Sequence, residues 1–204
     1  MSESVRQWKR KVQVVIGKGG TGLLVENLRV QFEVAKTIES APNVAVIRIF
    51  NLHPDNEAKI KNEFDEVLLN AGYEGAMRLV FRGNIKHVYR YRDGNDYITE
   101  IEAGDGDKDF RKAVMNETLA AGTTTGQLVD RAVGTFKGVG GTTKGHVQVN
   151  ERARIRGKVI SGNTRDVLHD VARESGANWS IQDGQLVIVS TNDVLPGDAI
   201  VLRA

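Results

Sequence analysis

Residues 28–52 read LRVQFEVAKTIESAPNVAVIRIFNL, and this stretch decides the fold. Leu28, Val30, Phe32 and Val34 alternate with Arg29, Gln31 and Glu33, the period-two pattern of a strand with one buried face. Ser40-Ala41-Pro42-Asn43 supplies a connection, because proline and asparagine favour turns over ladder positions. Val44 to Phe50 is apolar on both faces apart from Arg48, which predicts a strand inside a closed or doubly covered sheet.

Upstream, Trp8, Arg10, Val12, Val14 and Ile16 alternate with Lys9, Lys11 and Gln13, a first strand. The run Gly17-Lys18-Gly19-Gly20-Thr21-Gly22 follows. It resembles the phosphate loop of deviant Walker ATPases, which needs a Lys and then a Ser or Thr after its last glycine, at the mouth of a helix. Here those positions are Leu23 and Leu24, and a strand pattern follows, so the run predicts a hairpin turn without nucleotide binding.

Downstream, Pro54 opens a helix with Asp55 and Glu57 in its first turn. Ile60, Phe64, Val67, Leu68 and Ala71 fall on one helical face, and Gly72 is the expected C-cap. Met77 to Arg92 is a long strand with a bulge expected at Gly83. Met77, Leu79, Phe81, Ile85, Tyr89 and Tyr91 are expected on one face. Arg78, Arg82, Lys86, Arg90 and Arg92 are expected on the other, either as a solvated face or as a face for an acidic partner or neighbouring subunit. Asp93-Gly94-Asn95-Asp96 turns the chain into Tyr97–Ala103. With Arg92 opposite Tyr97, His87 lies opposite Glu102, a surface pair with no nucleophile beside it.

At Gly104-Asp105-Gly106-Asp107 long strands give way to short mixed elements, which predicts two domains, residues 1–106 and 107–204. Phe110–Leu119 is read as a strand. Thr124 and Gln127 form a capping box for a helix burying Leu128, Val129, Ala132, Val133 and Phe136. Arg152, Arg154, Arg156 and Lys158 alternate as on a strand, either an edge carrying protective charge or a row following a phosphate backbone. Asn163 caps a second helix with Val167, Leu168, Val171 and Ala172 inward. Trp179 to Ile188 is a hairpin about Asp183-Gly184, and Pro196-Gly197-Asp198 leads into a last strand, Ala199–Leu202.

Composition narrows the function classes. Twenty-eight basic and 26 acidic residues leave a net charge of +2, so bulk charge gives no reason to expect nucleic-acid binding. There is no cysteine, which excludes disulfides and thiolate metal sites. The four histidines, His53, His87, His146 and His169, lack metal-ligand spacing. No apolar run approaches a membrane span, and Met1–Lys11 lacks the apolar core of a signal peptide.

Several runs together carry a resemblance. They are Phe32-Glu33-Val34-Ala35-Lys36-Thr37, Pro42-Asn43-Val44-Ala45, Ile47-Arg48-Ile49-Phe50-Asn51-Leu52, Gly83-Asn84-Ile85 and Leu119-Ala120-Ala121-Gly122-Thr123-Thr124. Val159-Ile160-Ser161-Gly162 and Trp179-Ser180-Ile181-Gln182-Asp183-Gly184 join them. On these runs the chain resembles the tail hub (baseplate hub) proteins of contractile-tailed phages. The resemblance implies an α+β fold: an N-terminal tail-tube-like antiparallel β-barrel with one flanking helix, then a small α/β domain with two helices. It also implies a non-catalytic homotrimer without cofactors, joining tail tube to central spike in the virion baseplate and assembled in the host cytoplasm. Arg78, Arg82, Lys86 and Arg90 become candidates for the subunit interface. Hubs of this kind usually carry two barrels per protomer, so the resemblance implies either a second barrel beyond Ala204 or a ring completed differently. The alternatives are a nucleic-acid or cell-wall polysaccharide module using Arg152–Lys158, and a nucleotide-dependent enzyme using Gly17–Gly22.

Overall fold

A computed structural model describes residues 9–193. Trp8 and the expected last strand, Ala199–Leu202, lie outside the described residues. The described chain forms two compact units. The first holds residues 9–37, 42–108 and 182–184, and the second holds 38–41, 109–181 and 185–193.

The first unit is one antiparallel sheet of β1 (Arg10–Lys18), β2 (Thr21–Val25), β3 (Val30–Ala35), β4 (Val44–Phe50), β5 (Glu66–Tyr73), β6 (Ala76–Asp93) and β7 (Asp96–Gly104). Their order is β2-β1-β5-β6-β7-β4-β3. One face is continuous across the sheet, because directly paired residues share a side. Val14 pairs Leu69, Leu69 pairs Phe81, Val88 pairs Ile101 and Ile101 pairs Ile47. These residues, with Ile16, Val67 and Ile49, make its core. Burying side chains such as Ile47 and Ile49 contributes about 1.5–3 kcal/mol each. The helix α1 (Pro54–Asn62) adds Ile60 to this core.

Two expectations are corrected here. The helix stops at Asn62, with Glu63 as its C-cap, and residues 66–73 are strand β5. Val67, Leu68 and Ala71 suit a helical face, but Val67 and Leu69 suit a strand equally well. Pairing with β1 on one side and β6 on the other decides it. The sheet is also not closed into a barrel: β2 and β3 are its ends, and no ladder joins them. Strand β4 accordingly buries one face fully, through Ala45, Ile47 and Ile49, whereas Val44 on the other side is 40% exposed. An antiparallel sheet tolerates such a half-solvated face.

The second unit packs α3 (Thr125–Phe136) and α4 (Thr164–Glu174) with a pair of strands, β8 (Val114–Leu119) and β10 (Lys158–Asn163). A three-stranded sheet joins them, of order β11-β12-β9, with β9 (Thr143–Val147), β11 (Ala177–Gln182) and β12 (Gln185–Ser190). The expected capping box forms: Thr124 accepts from Gln127 N–H while the Gln127 side chain accepts from Thr124 N–H. The predicted inner residues Leu128, Val129, Ala132, Val133 and Phe136 are buried. Asn163 caps α4 as expected, and Asp183 and Gly184, at φ +52° and +80°, make the hairpin turn. The strand expected at Phe110–Leu119 begins only at Val114, because Asp107–Lys112 forms a short helix, α2.

Candidate interaction surface

The open ends of the first unit's sheet are its clearest unsatisfied feature. Among the described residues, each outermost strand presents a row of backbone N–H and C=O groups without ladder partners. On β3, Phe32 stands opposite Ile47 and is still 38% exposed. On β2, Leu24 is 52% exposed.

The basic row of β6 is dissected by two bulges. The β5–β6 register shifts between Leu69 and Asn70, which skips Val80, and the β6–β7 register shifts at Lys86. Each skipped residue turns the following side chains to the other face. The bulge expected at Gly83 is thus at Val80 and Lys86. Gly83 itself marks a close approach, since a Cβ there would meet Gly104 O and Phe81 Cζ, both at 2.7 Å.

The cations therefore do not share one surface. Arg90, paired with Thr99, points to the core side, where it meets Glu57 of α1 at 3.0 Å and covers the Tyr97 ring at 4.7 Å. Arg82, paired with Leu68, is on the opposite face and donates to Glu66 at 2.6 Å. Lys86 lies 2.9 Å from Asp107. Arg78 is exposed, on the other face from Arg82 because Val80 intervenes. Tyr89 and Tyr91 likewise part from Phe81: they lie on the outer face, 46% and 41% exposed.

That outer face carries a polar–aromatic group invisible in linear sequence. Arg48 Nε donates to Glu100 Oε2 at 2.5 Å, and Tyr91 O–H donates to the same oxygen at 3.2 Å. His87 stands opposite Glu102, as the hairpin register predicts, and stacks on Tyr89 with ring centroids 5.9 Å apart.

The glycine-rich run is a two-residue hairpin turn, with Gly19 and Gly20 at φ +57° and +92° between paired Lys18 and Thr21. Lys18 is 3.5 Å from Asp65. Burial pushes the Asp65 carboxyl up, but the hydrogen bond and charge of Lys108, with Lys18 behind it, outweigh this and hold it below its ordinary value. The lysine of the phosphate-loop-like run thus serves a carboxylate within the fold.

Asp105, read in the sequence only as part of a linker, is fully buried. Its carboxylate accepts from the N–H groups of Asp183 and Gly184, at 2.5 and 2.9 Å, all within the first unit. Burial pushes its pKa up to about 6, against the pull of those hydrogen bonds.

In the second unit, the Arg152–Lys158 row is not a strand. Only Ala153 makes a bridge, to Thr124, before β10 begins at Lys158. The regular spacing that a backbone-tracking array needs is therefore lost. Among the described residues, no group of three His, Cys, Asp or Glu side chains is placed to hold a metal, and no helix is long and apolar enough to cross a membrane.

No protein-family model matches the chain, and no curated protein does. Solved structures do match. The 43 kDa tail protein of prophage MuSo2 from Shewanella oneidensis aligns over 86% of the chain at a TM-score of 0.59 and 16% identity. The tail protein from Neisseria meningitidis MC58 aligns over 89%, at 0.60 and 13%. A chain of the Francisella PdpA–VgrG complex aligns over 91%, at 0.57 and 12%. The chain spans 54% and 51% of the two tail proteins and 32% of the third structure. Its fold is the one found in phage tail proteins.

Proposed function

We propose that the chain is a structural component of a phage-type tail, a hub that joins the tail tube to the central spike and assembles as a trimer. In this reading residues 1–106 hold the tube-like module and residues 107–204 the small α/β domain. The observation that carries it is the seven-stranded sheet left open at both β2 and β3, in a chain with the fold of tail proteins. A sheet end is stabilised by closure, by a cover or by a neighbour's strand. Head-to-tail pairing of β2 of one tube-like unit with β3 of the next closes into a ring and leaves no edge. Arg78, exposed, steers an acidic neighbour, whereas Arg82, Lys86 and Arg90 are ion-paired within the fold.

The hydrogen bond from Phe50 N–H to Arg29 O places Arg29 in a bonded pair, so by alternation the N–H of Phe32 faces the open edge. Phe32→Pro removes that outward donor and leaves the β3–β4 ladder intact. The test is light scattering and imaging of the complete gene product with its tube protein, with and without this change. Trimers seated on tube ends, lost in Phe32→Pro, are expected. A product that stays monomeric at high concentration and forms no ring with the tube overturns the proposal.

A further inference from the structure

Among the described residues, strand β10 is hydrogen-bonded only to β8, in a two-stranded sheet, and its other edge has no ladder partner. Two strands alone are a marginal sheet. A groove of about 240 Å³ lies along β10, lined by every residue from Lys158 to Asn163 and, on its far wall, by α4. The helix wall carries Asp166, Asp170 and Glu174. Their spacing of four residues sets all three carboxylates on one helix face, in a line along the groove. Arginines are near each: Arg165 at 3.5 Å, Arg173 at 2.9 Å and Arg154 at 4.0 Å.

Arg154 also lines the groove, and its Nε is buried with no hydrogen-bond acceptor among the described residues. A buried donor left unpaired is costly, and an acceptor brought in from outside would satisfy it. On the outer face of the same strand, Val159 is 72% exposed, beside paired Thr118. An unpaired strand edge, a carboxylate-lined wall, a buried donor without an acceptor and an exposed valine therefore lie together.

We infer that this groove is a strand-addition site, which takes an extended segment of a partner protein whose side chains alternate basic and apolar. The segment's backbone pairs with the free edge of β10, and its carbonyls offer the acceptor that Arg154 Nε lacks. Because side chains alternate across a strand, one set faces α4 and the other lies over Val159. The first set is basic, to meet Asp166, Asp170 and Glu174, and the second apolar. Backbone pairing supplies affinity and the two sets supply selectivity.

The test uses the full chain and a short labelled peptide alternating lysine and valine, with a glutamate–valine peptide as control. Fluorescence anisotropy reads affinity, and hydrogen exchange reads protection of residues 158–163. The proposal predicts saturable binding of the lysine–valine peptide, at least about tenfold tighter than the control. It predicts slowed exchange along 158–163, and loss of binding in Asp166→Asn/Asp170→Asn/Glu174→Gln, whose changes lie on one helix face outside the core. Val159→Asp, also at the surface, weakens binding of the same peptide through its apolar set. Absence of saturable binding, equal binding of the control, or binding undiminished in the neutralised variant overturns it. Binding without protection of 158–163 also overturns it, because charge attraction alone leaves the strand edge unpaired.

Discussion

Lys86 Nζ stands 2.9 Å from Asp107 Oδ1, and the Asp107 side chain is only 5% exposed. The pair exists because the bulge takes Lys86 out of register. A Cβ on Gly104 would come within 2.5 Å of Lys86 Cε, so the missing side chain makes room for the lysine stem. Removing the cation takes one charged partner from a buried carboxylate. Lys86→Ala is expected to destabilise by about 1–3 kcal/mol, whereas exposed Arg78→Ala stays within about 0.5 kcal/mol. Denaturant midpoints check this, and equal effects of the two changes would contradict the division into structural and surface cations.

Asp105 gives a pH dependence with a defined sign. Its ordinary value is 3.8, and burial raises it to about 6 in the fold. The folded state therefore holds the proton more tightly than the unfolded chain, so the favourable contribution is complete below pH 3.8 and lost as pH rises through about 6. The loss amounts to roughly 3 kcal/mol at most. Unfolding free energies of the parent and Asp105→Asn, measured across this range, should differ by an amount that changes with pH in this direction. A pH-independent difference would contradict it.

The strand assignment of residues 66–73 is open to a direct comparison. Leu69 is fully buried, and Leu68 is half-buried on the other face. In the sheet, Leu69→Ala costs about 2–5 kcal/mol, and Leu68→Ala costs less. A helix through this segment, with Leu68 inward, would give the reverse order in chemical denaturation.

These residues also mark where the sequence stopped being legible. Val44–Phe50, the capping box at Thr124 and Gln127, and the turns at Gly19-Gly20 and Asp183-Gly184 were readable because propensity, pattern and turn chemistry agree locally. Residues 64–71 were not, because the Val67-Leu68-Leu69 run satisfies both periods and only the neighbouring strands choose between them. The basic row failed for a related reason. Alternation across Arg78, Arg82, Lys86 and Arg90 assumes an unbroken register, and the bulges at Val80 and Lys86 have no signature beyond the nearby glycine. The groove beside β10 joins residues whose roles depend on α4 lying along the strand.

The proposed hub role is decided by whether the chain lies in a tail particle, and where. If the reading holds, electron cryomicroscopy of tail particles that contain the chain measures this most directly. The account predicts three copies at the junction of tube and spike, with β2 and β3 each paired to a neighbouring strand. A chain that enters no tail particle, or lies away from that junction with both edges unpaired, would contradict it.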